Sequence, residues 1–427
     1  TELTATHAMA VERYKFPRSI SAALWVDFAS TFEDVATCQY KRVSDTCIEG
    51  YVQAKNVCGH GRYKLYFSLN TDQPFQLEEQ KETTACLTFG KKVRAVEVRI
   101  GLSALSSELA SWECARWEKM DFAELKSQTG NQWEKQLSAI DVKGGKKDDK
   151  VIFYTSLYRA YLSPADVSSP DGAYLGTDGK VYISEDFRYY SNWSLWDTFR
   201  TKFPLLVLTE PARMRDMATS LIHLYATGKK DWSTGFESTP TVRTEHAVIL
   251  LLDAYRKGIT TLDFRKGYAG MKEEMERLPM RSPDQKMESA YDLWAMAQIA
   301  EIIGEKADSE QYRQRSVSLF EETWKKEFMN VTPAFEVMKN NGLYQGTRWQ
   351  YRWAAPQYID KMIEWVGQDS LRSQLTYFFD HHLYNQGNEP DIHVPYLFNR
   401  LGAPEKTQQI VRSLMTEPMI HKYGGNS

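Results

Sequence analysis

The sequence lacks several features that mark large functional classes. It contains no run of 18 or more apolar residues, so no segment is predicted to cross a membrane. Its 53 basic and 56 acidic residues leave a net charge of −3, which argues against binding to nucleic acid. It also has no Gly-x-Ser-x-Gly elbow, P-loop, dinucleotide glycine fingerprint or His-Glu-x-x-His motif. Common serine hydrolases, nucleotide-binding enzymes and zinc proteases are therefore excluded.

Cysteine is scarce and confined to one end of the chain. All five residues lie within the first 114: Cys38, Cys47, Cys58, Cys86 and Cys114. The first three are close enough in sequence to form disulfides in an oxidising compartment, whereas the paired Cys-x-x-Cys spacing of a zinc site is absent. Glycosylation sequons begin at Asn192 and Asn330. We therefore expect a secreted or periplasmic protein, or one in the lumen of the secretory pathway.

Residues 1 to about 125 have the pattern of short β-strands. Alternating or β-branched segments, such as 64–69 and 93–100, are bounded by Gly, Asn and Asp turns. This spacing favours a β-sandwich, with a less regular β-rich region as the alternative. Helical spacing over 122–141 leads into a charged, glycine-containing break at 144–150. The sequence therefore predicts a β-sandwich domain over 1–125 and a helical linker over 126–150.

After residue 150 the apolar period changes from two to 3.6. Helical apolar faces are predicted over 151–162, 204–228, 245–258, 289–303, 309–327, 356–366 and 405–415. Loops rich in Gly, Pro, Asn and Trp separate them, and no repeat of about 20–50 residues is apparent. This pattern indicates a helical toroid over 151–427, in which loops at one end build a pocket.

Three segments combine aromatic rings with amides and charged groups. They are Trp196-Asp197-Thr198-Phe199-Arg200, the run over 342–353, and Gly387-Asn388-Glu389-Pro390-Asp391. A carbohydrate pocket needs such groups, because the apolar sugar face lies on a ring while donors and acceptors hold the hydroxyls. Glycoside hydrolysis, which normally uses two carboxylates across the bond, is the enzyme class whose ingredients are present.

Each candidate also has a structural alternative. Asp197 and Arg200 could instead form a buried ion pair that caps a helix, with Asp197 and Thr198 at its N-cap. Glu245 and His246 open an apolar helix, where either a capping role or a role in the site is reasonable.

The segment around Glu389 has two interpretations as well. Asn388, Glu389 and Asp391 supply three hard oxygen donors within four residues, and His393 follows. These groups could orient a cation such as Ca²⁺ or hold a diol. Because Asn, Pro, Asp and Gly favour turns, a plain turn is the alternative.

The order of these motifs resembles glycoside hydrolase family 92. The resemblance includes Gln345-Gly346-Thr347-Arg348-Trp349-Gln350-Tyr351 and Pro395-Tyr396-Leu397-Phe398-Asn399, and it covers nearly the whole chain. Members are Ca²⁺-dependent, inverting exo-α-mannosidases in which a β-sandwich is joined by helices to an (α/α)6 barrel. The resemblance therefore implies an α+β multidomain protein, a calcium cofactor and a mannose-containing glycan as substrate.

The motifs and the resemblance together predict a set of substrate-binding residues. These are Trp196, Asp197, Arg200, Glu245, His246, Thr347, Trp349, Gln350, Asn388, Glu389, Asp391 and His393. The resemblance implies that calcium bridges the 2- and 3-hydroxyls of mannose. We name Glu389 as its candidate ligand.

Gln345 departs from the family pattern. It stands where the family has a glutamate as general acid, and a neutral amide cannot protonate a leaving alkoxide. Loss of such an acid costs about 10²–10⁴-fold in rate. Family members with the same change cleave mannose-α-1-phospho-6-mannose, uncapping mannose 6-phosphate on N-glycans. The resemblance thus favours a mannosyl-phosphodiester hydrolase, and the alternatives are an ordinary exo-α-1,2-mannosidase or an inactive relative.

The second departure lies at Gly424-Gly425-Asn426-Ser427. The family's general base is an Asp in a Gly-Asn-Asp/Glu-Asp motif, so either Ser427 replaces the first acid or the base is not in this chain. We expect a processed or partial product whose site is completed by a further segment or chain. The alternative is a mannose-binding remnant that lacks both acid and base.

Overall fold

The computed structural model describes residues 1–31, 33–56, 59–78, 82–331, 342–387 and 389–417. Contacts between Cα atoms divide the chain into two compact units. The first comprises Thr1–Ser194 and Thr209–Glu245, and the second comprises Leu195–Leu208 and His246–Ser427. These units are groupings by contact, and the domain limits placed at residues 125 and 150 stay predictions.

The first unit contains two antiparallel sheets. One has six strands in the order β1-β2-β9-β6-β5-β4, and the other has three in the order β3-β8-β7. The strands are β1 Glu2–Ala5, β2 Met9–Lys15, β3 Ala23–Asp27, β4 Val35–Arg42, β5 Cys47–Lys55, β6 Arg62–Thr71, β7 Phe75–Glu78, β8 Thr84–Phe89 and β9 Ala95–Ser103.

Side chains from both sheets form one apolar cluster. Ile48, Leu69 and Val98 of the larger sheet are buried with Ala85 and Leu87 of the smaller one. Full burial of an aliphatic side chain of this size contributes about 1.5–3 kcal/mol. The alternation that predicted strands is therefore also what builds the core, and the predicted β-rich N-terminal domain is confirmed.

Cys38, Cys47 and Cys114 are free thiols in this unit, so no disulfide joins any two of them. Cys58 lies outside the described residues. Cys47 is buried in β5 next to Ser68, with 3.7 Å between Sγ and Oγ. The disulfide between Cys38 and Cys47 that their short interval allowed is therefore not formed.

Helices and short strands complete the first unit. The helices are α1 Ser107–Arg116, α2 Phe122–Leu137, α3 Lys147–Tyr161 and α6 Pro211–Thr227. Strand β10, Ala165–Asp166, pairs with β13, Tyr190–Ser191, and β11, Ala173–Leu175, pairs with β12, Val181–Ile183.

Helix α1 lies directly on strand β9. A Cβ atom at Gly101 would come within 1.9 Å of the carbonyl oxygen of Ala110. Only glycine allows two backbones to approach this closely. Gly101 therefore fixes where α1 and its side chains sit on the sheet.

The second unit is helical. Its helices are α4 Leu195–Thr198, α5 Lys202–Thr209, α7 Ala247–Arg256, α8 Tyr268–Glu276, α9 Pro283–Ile302, α10 Lys306–Thr323, α11 Arg348–Tyr351, α12 Ile359–Val366, α13 Gln368–Asp380, α14 Leu397–Arg400 and α15 Pro404–Thr416. Many of the chain's aromatic residues fill its core, including Phe320, Trp324, Trp353 and Phe378. The predicted order, β-rich followed by helical, is confirmed.

Two helix predictions need correction. The single helix predicted over 204–228 is two helices, because Glu210 precedes Pro211 and a residue before proline disfavours the α conformation. Pro211 then suits the first turn of α6. Asp197 and Thr198 lie inside α4 rather than at its N-cap.

Within the described part of the chain, no helix has both the length and the apolar character needed to span a bilayer.

Candidate active site

The site begins with α4 and the arginine that follows it. Trp196 is 1% exposed, and the Arg200 side chain is 5% exposed. Arg200 Nη1 donates to the Trp196 carbonyl at 3.0 Å, and its guanidinium lies 4.3 Å from the centroid of the Phe199 ring. Arg200 thus carries a buried positive charge that requires a carboxylate partner.

That partner is Glu288 on α9. Its Oε1 accepts from Trp196 Nε1 at 2.9 Å and from Arg200 Nη2 at 3.2 Å. Hydrogen bonds between charged groups are shorter and stronger than neutral ones. Glu288 therefore fixes the indole and the guanidinium with a single oxygen atom.

His246 is held from the same helix. It precedes α7 with a left-handed φ of 69°, and its side chain makes no capping hydrogen bond. Instead, Nδ1 lies 3.0 Å from Asp292 Oδ2 and Nε2 lies 4.0 Å from Glu288 Oε1. Of the two roles proposed from the sequence, capping by the His246 side chain is thus not found.

Glu245 belongs to the first compact unit. Its Oε1 accepts from Arg243 Nε at 2.9 Å and from Nη2 at 2.7 Å. The described geometry gives it an ion pair inside that unit. Its contact with a sugar stays a prediction.

The segment that carries Gln345 is bent and tightly held. Asp284 Oδ2 accepts from the Tyr344 amide at 2.8 Å, and the Tyr351 hydroxyl donates to the Tyr344 carbonyl at 2.5 Å. Gln345 has a left-handed φ of 49°, which costs a non-glycine residue about 1–3 kcal/mol and is common at functional sites. Its Nε2 donates to the Tyr344 hydroxyl at 3.2 Å.

An exposed aromatic ring lies beside Gln345. Tyr344 is 40% exposed, and its ring packs edge-on against the buried Trp196 at 5.4 Å between centroids. The accessible aromatic face at this point is therefore that of Tyr344, with Trp196 behind it. The sequence pointed to Trp196 for that role.

The Gly-Thr step after Gln345 starts helix α11. Thr347 and Gln350 form a capping box, with Gln350 Nα to Thr347 Oγ1 at 3.3 Å and Thr347 Nα to Gln350 Oε1 at 2.8 Å. Trp349 is buried and stacks on Tyr377 at 5.4 Å. This position gives Trp349 a packing role, and its contact with a sugar stays a prediction.

The third motif, which contains Glu389 and Asp391, packs against the first two. Helices α4 and α11 both pack against the 3₁₀ turn Glu389–Asp391. Asp391 is fully buried, and its Oδ2 accepts from the Asn385 amide at 3.1 Å. Burial raises the pKa of Asp391 to about 8, although the nearby positive charge of Arg200 acts in the opposite direction.

His393 is electrostatically linked to the same arginine. Loss of solvation, aided by the positive charge of Arg200, lowers the pKa of His393 to about 4. Its Nε2 donates to the Trp353 carbonyl at 2.8 Å. His393 is therefore neutral at physiological pH, and the field of Arg200 connects the first and third motifs.

The described residues do not by themselves make up a calcium site. Among them, no group of three His, Cys, Asp or Glu side chains is placed to hold a metal. Calcium takes about six to eight oxygen ligands. The buried oxygen without a hydrogen-bond partner in this segment is Asp391 Oδ1. Asn388 and residues 424–427 lie outside the described residues, and Glu389 as a ligand stays a prediction.

The sequence reasoning missed the contribution of helix α9. Asp284, Glu288 and Asp292 are spaced four residues apart, so they lie on one side of the helix. They hold Tyr344, the Trp196–Arg200 pair and His246, respectively. Three acidic residues at intervals of four in the first half of the helix were the available signal.

Comparison with known proteins identifies relatives of the chain. Residues 109–425 match the sequence model of the glycosyl hydrolase family 92 catalytic domain, and residues 1–103 match that of the family's N-terminal domain. No curated protein matches the chain.

Several solved structures share its fold. The family 92 glycosyl hydrolase ccman5 is 25% identical with a TM-score of 0.85, covering 97% of this chain and 63% of its own. The α-mannosidase BT3965 of Bacteroides thetaiotaomicron is 24% identical with a TM-score of 0.82, covering 96% and 63%. The inverting mannosidase BT2199 from the same species is 20% identical with a TM-score of 0.80, covering 97% and 66%. The chain thus spans less than two thirds of the length of these proteins.

Proposed function

The chain belongs to glycosyl hydrolase family 92, and on this premise we propose that it is an inverting, calcium-dependent hydrolase that removes terminal α-mannose from mannose-α-1-phospho-6-mannose. Two of its structural relatives are described as mannosidases, and BT3965 has been solved in complex with mannoimidazole. We infer from these relatives that the sugar removed is mannose. We infer the leaving group from a residue of this chain.

Gln345 is the observation that carries the proposal. Its side-chain amide donates hydrogen bonds but holds no proton that it can transfer to a leaving alkoxide. A phosphate monoester leaves as a stable anion, because its second pKa is about 6. A site without an acid at this position therefore suits a phosphodiester far better than a plain mannoside.

The proposed reaction is a single displacement at the anomeric carbon. The bond from C1 to the water oxygen forms on one face while the bond from C1 to the phosphate oxygen breaks on the other, which inverts the configuration. The water proton passes to a base that we place outside the described residues. The products are mannose and mannose 6-phosphate, and no proton donor to the leaving group is needed.

The residues of the second unit divide into supporting and contacting groups. Trp196 is buried, the Arg200 and Glu288 side chains are mostly covered, and the three groups hold one another, so they support the site. Tyr344 is exposed and offers a ring face to the sugar, with the half-buried Gln345 next to it. The amide of Gln345 can donate a hydrogen bond to a phosphate oxygen, which would position the leaving group.

Calcium would add Lewis-acid and template chemistry at the sugar hydroxyls. The candidate ligand in the described residues is Glu389. EDTA should abolish mannose release by the natural polypeptide, and added Ca²⁺ should restore it. Full activity in EDTA would contradict the calcium dependence without affecting the choice of leaving group.

The test of the function is mannose release by the natural polypeptide from two substrates. Mannose-α-1-phospho-6-mannose should be hydrolysed with release of β-mannose, seen by proton NMR before mutarotation. Release of mannose from α-1,2-mannobiose should be slower by about 10²–10⁴-fold. Equal turnover of the two substrates would refute the phosphodiester preference.

A mannose-binding protein without hydrolytic activity is the second candidate function. The same Gln345 favours it, since a lost acid is also what an inactive relative would show. Calorimetry with intact substrate distinguishes the two. Heat of binding with no mannose released by the natural polypeptide would establish the binding function instead.

A further inference from the structure

A cavity of about 270 Å³ lies within the first compact unit. Its walls come from the end of β9, from α1, from β10 with the loop that follows it, and from residues 238–240. None of the substrate-binding residues predicted from the sequence lines it. The cavity is therefore a feature that the hydrolytic site does not explain.

Two residues that line this cavity each carry a buried polar atom for which the described part of the chain supplies no hydrogen-bond partner. The Glu113 side chain is 4% exposed, and its Oε1 accepts from Arg116 at 3.3 Å. Glu113 Oε2 and Ser238 Oγ, both of lining residues, have no hydrogen-bond partner among the described residues. Buried polar atoms are normally satisfied, so each of these exceptions needs an explanation. A ligand that donates hydrogen bonds would satisfy them.

The carboxylates at the cavity already have cationic partners. Glu113 pairs with Arg116, and Asp166 Oδ2 pairs with Arg188 Nε at 2.8 Å and lies 3.8 Å from His7 Nε2. A cationic ligand is therefore not needed for charge balance. The described residues also contain no cluster of three potential metal ligands here. These facts favour a neutral ligand that carries hydroxyl groups.

Apolar residues line much of the remaining wall, together with the hydroxyls of Ser103, Ser168, Ser169 and Thr239. Leu65, Leu102, Leu109 and Pro240 contribute to it, together with the buried ring of Tyr63. A pyranose presents C–H groups on its faces and hydroxyls around its edge, which matches apolar walls with a few polar atoms. The volume falls just below the range of about 300–1,000 Å³ that holds drug-sized ligands, so one sugar unit fits.

We propose that this cavity is a second carbohydrate-binding site, which takes one neutral sugar unit through Glu113 Oε2 and Ser238 Oγ. Its lining residues are not among those described in the candidate active site. Occupation of it would bind a glycan through the first compact unit. The inference does not depend on which bond the enzyme hydrolyses.

The test is a titration of the natural polypeptide, labelled at its leucine methyl groups, with methyl α-mannopyranoside. We expect saturating NMR shifts for Leu102 and Leu109. Glu113→Gln should weaken the binding by about tenfold, which corresponds to ~1.4 kcal/mol. Glu118→Gln, a substitution at an exposed residue shortly after Glu113 in sequence, should leave it unchanged.

A second variant distinguishes loss of sugar binding from a folding defect caused by Glu113→Gln. Ala104 lines the cavity but is partly exposed, so Ala104→Leu should fold and fill the space. It should remove the shift of the Leu109 methyl groups while mannose release is unaffected. The proposal is overturned if methyl α-mannopyranoside causes no NMR shifts in the unsubstituted protein. It is also overturned if the shifts persist in both Glu113→Gln and Ala104→Leu, or if glycerol causes equal shifts. Because hydrolysis is measured separately, failure of this site and failure of the proposed function are distinguishable.

Discussion

Replacing Glu288 should show how much the candidate active site depends on one largely covered carboxylate. Glu288 is the carboxylate paired with Arg200 in the described part of the chain, and the two side chains are 13% and 5% exposed. Removing one partner of a buried ion pair leaves the other charge uncompensated. Such a loss typically costs about 3–5 kcal/mol.

The two substitutions at Glu288 should differ in the size of their effect. Glu288→Ala removes both the charge and the acceptor for Trp196 Nε1, so we expect the full cost of about 3–5 kcal/mol. Glu288→Gln keeps an acceptor oxygen and loses the charge. We expect it to cost about 1.5–3 kcal/mol, the usual contribution of a hydrogen bond to a charged group.

Scanning calorimetry measures both variants. For a unit of about 200 residues, 1 kcal/mol shifts Tm by about 2–4 °C, so Glu288→Ala should lower it by about 6–20 °C. Glu310→Ala is the control, because Glu310 pairs with Arg313 on the surface and the two are 55% and 49% exposed. An exposed pair contributes about 0–1 kcal/mol. A Glu288→Ala shift no larger than that of Glu310→Ala would refute the reasoning.

Two further predictions concern the first unit. Burial raises the pKa of Glu237 from 4.5 to about 7. Between these pH values the native state keeps a proton that the unfolded chain releases. The free energy of unfolding therefore falls as pH rises from about 4.5 to 7. Glu237→Gln should remove roughly 3 kcal/mol of that decline in urea unfolding at several pH values, and an unchanged slope would contradict the assignment. Gly101→Ala should destabilise the fold by about 1–3 kcal/mol or more, because its Cβ would meet the Ala110 carbonyl. Gly90→Ala, where the nearest atom is 3.8 Å away, should cost much less in the same denaturation assay.

Local patterns in the sequence account for much of the fold. Strand alternation around Leu69 and Val98 predicts the burial that the sheets show, because a period of two places every second side chain in the core. The helix break at Pro211 could also be predicted from the sequence, because proline restricts the backbone conformation of the residue before it. The apolar period alone ran through this position and predicted one helix.

Contacts between distant segments were harder to predict. Nothing in the sequence around Arg200 shows that its partner is Glu288 rather than the nearby Asp197, because the pairing is made by the packing of α4 on α9. Trp196 reads as a sugar platform, yet its ring is covered and Tyr344 holds the exposed position. Motifs thus indicated which segments converge, while the identity of the buried and exposed members depended on tertiary structure.

The most direct test of the central claim is the ratio of kcat/KM for mannose-α-1-phospho-6-mannose to that for α-1,2-mannobiose, measured for the natural polypeptide and for Gln345→Glu. The substitution restores a carboxyl group that can protonate an alkoxide, so it should raise kcat/KM for the mannobiose by about 10²-fold or more and lower the ratio. The account predicts a ratio well above one for the natural polypeptide that falls steeply in the variant. A ratio near one that Gln345→Glu leaves unchanged would contradict it.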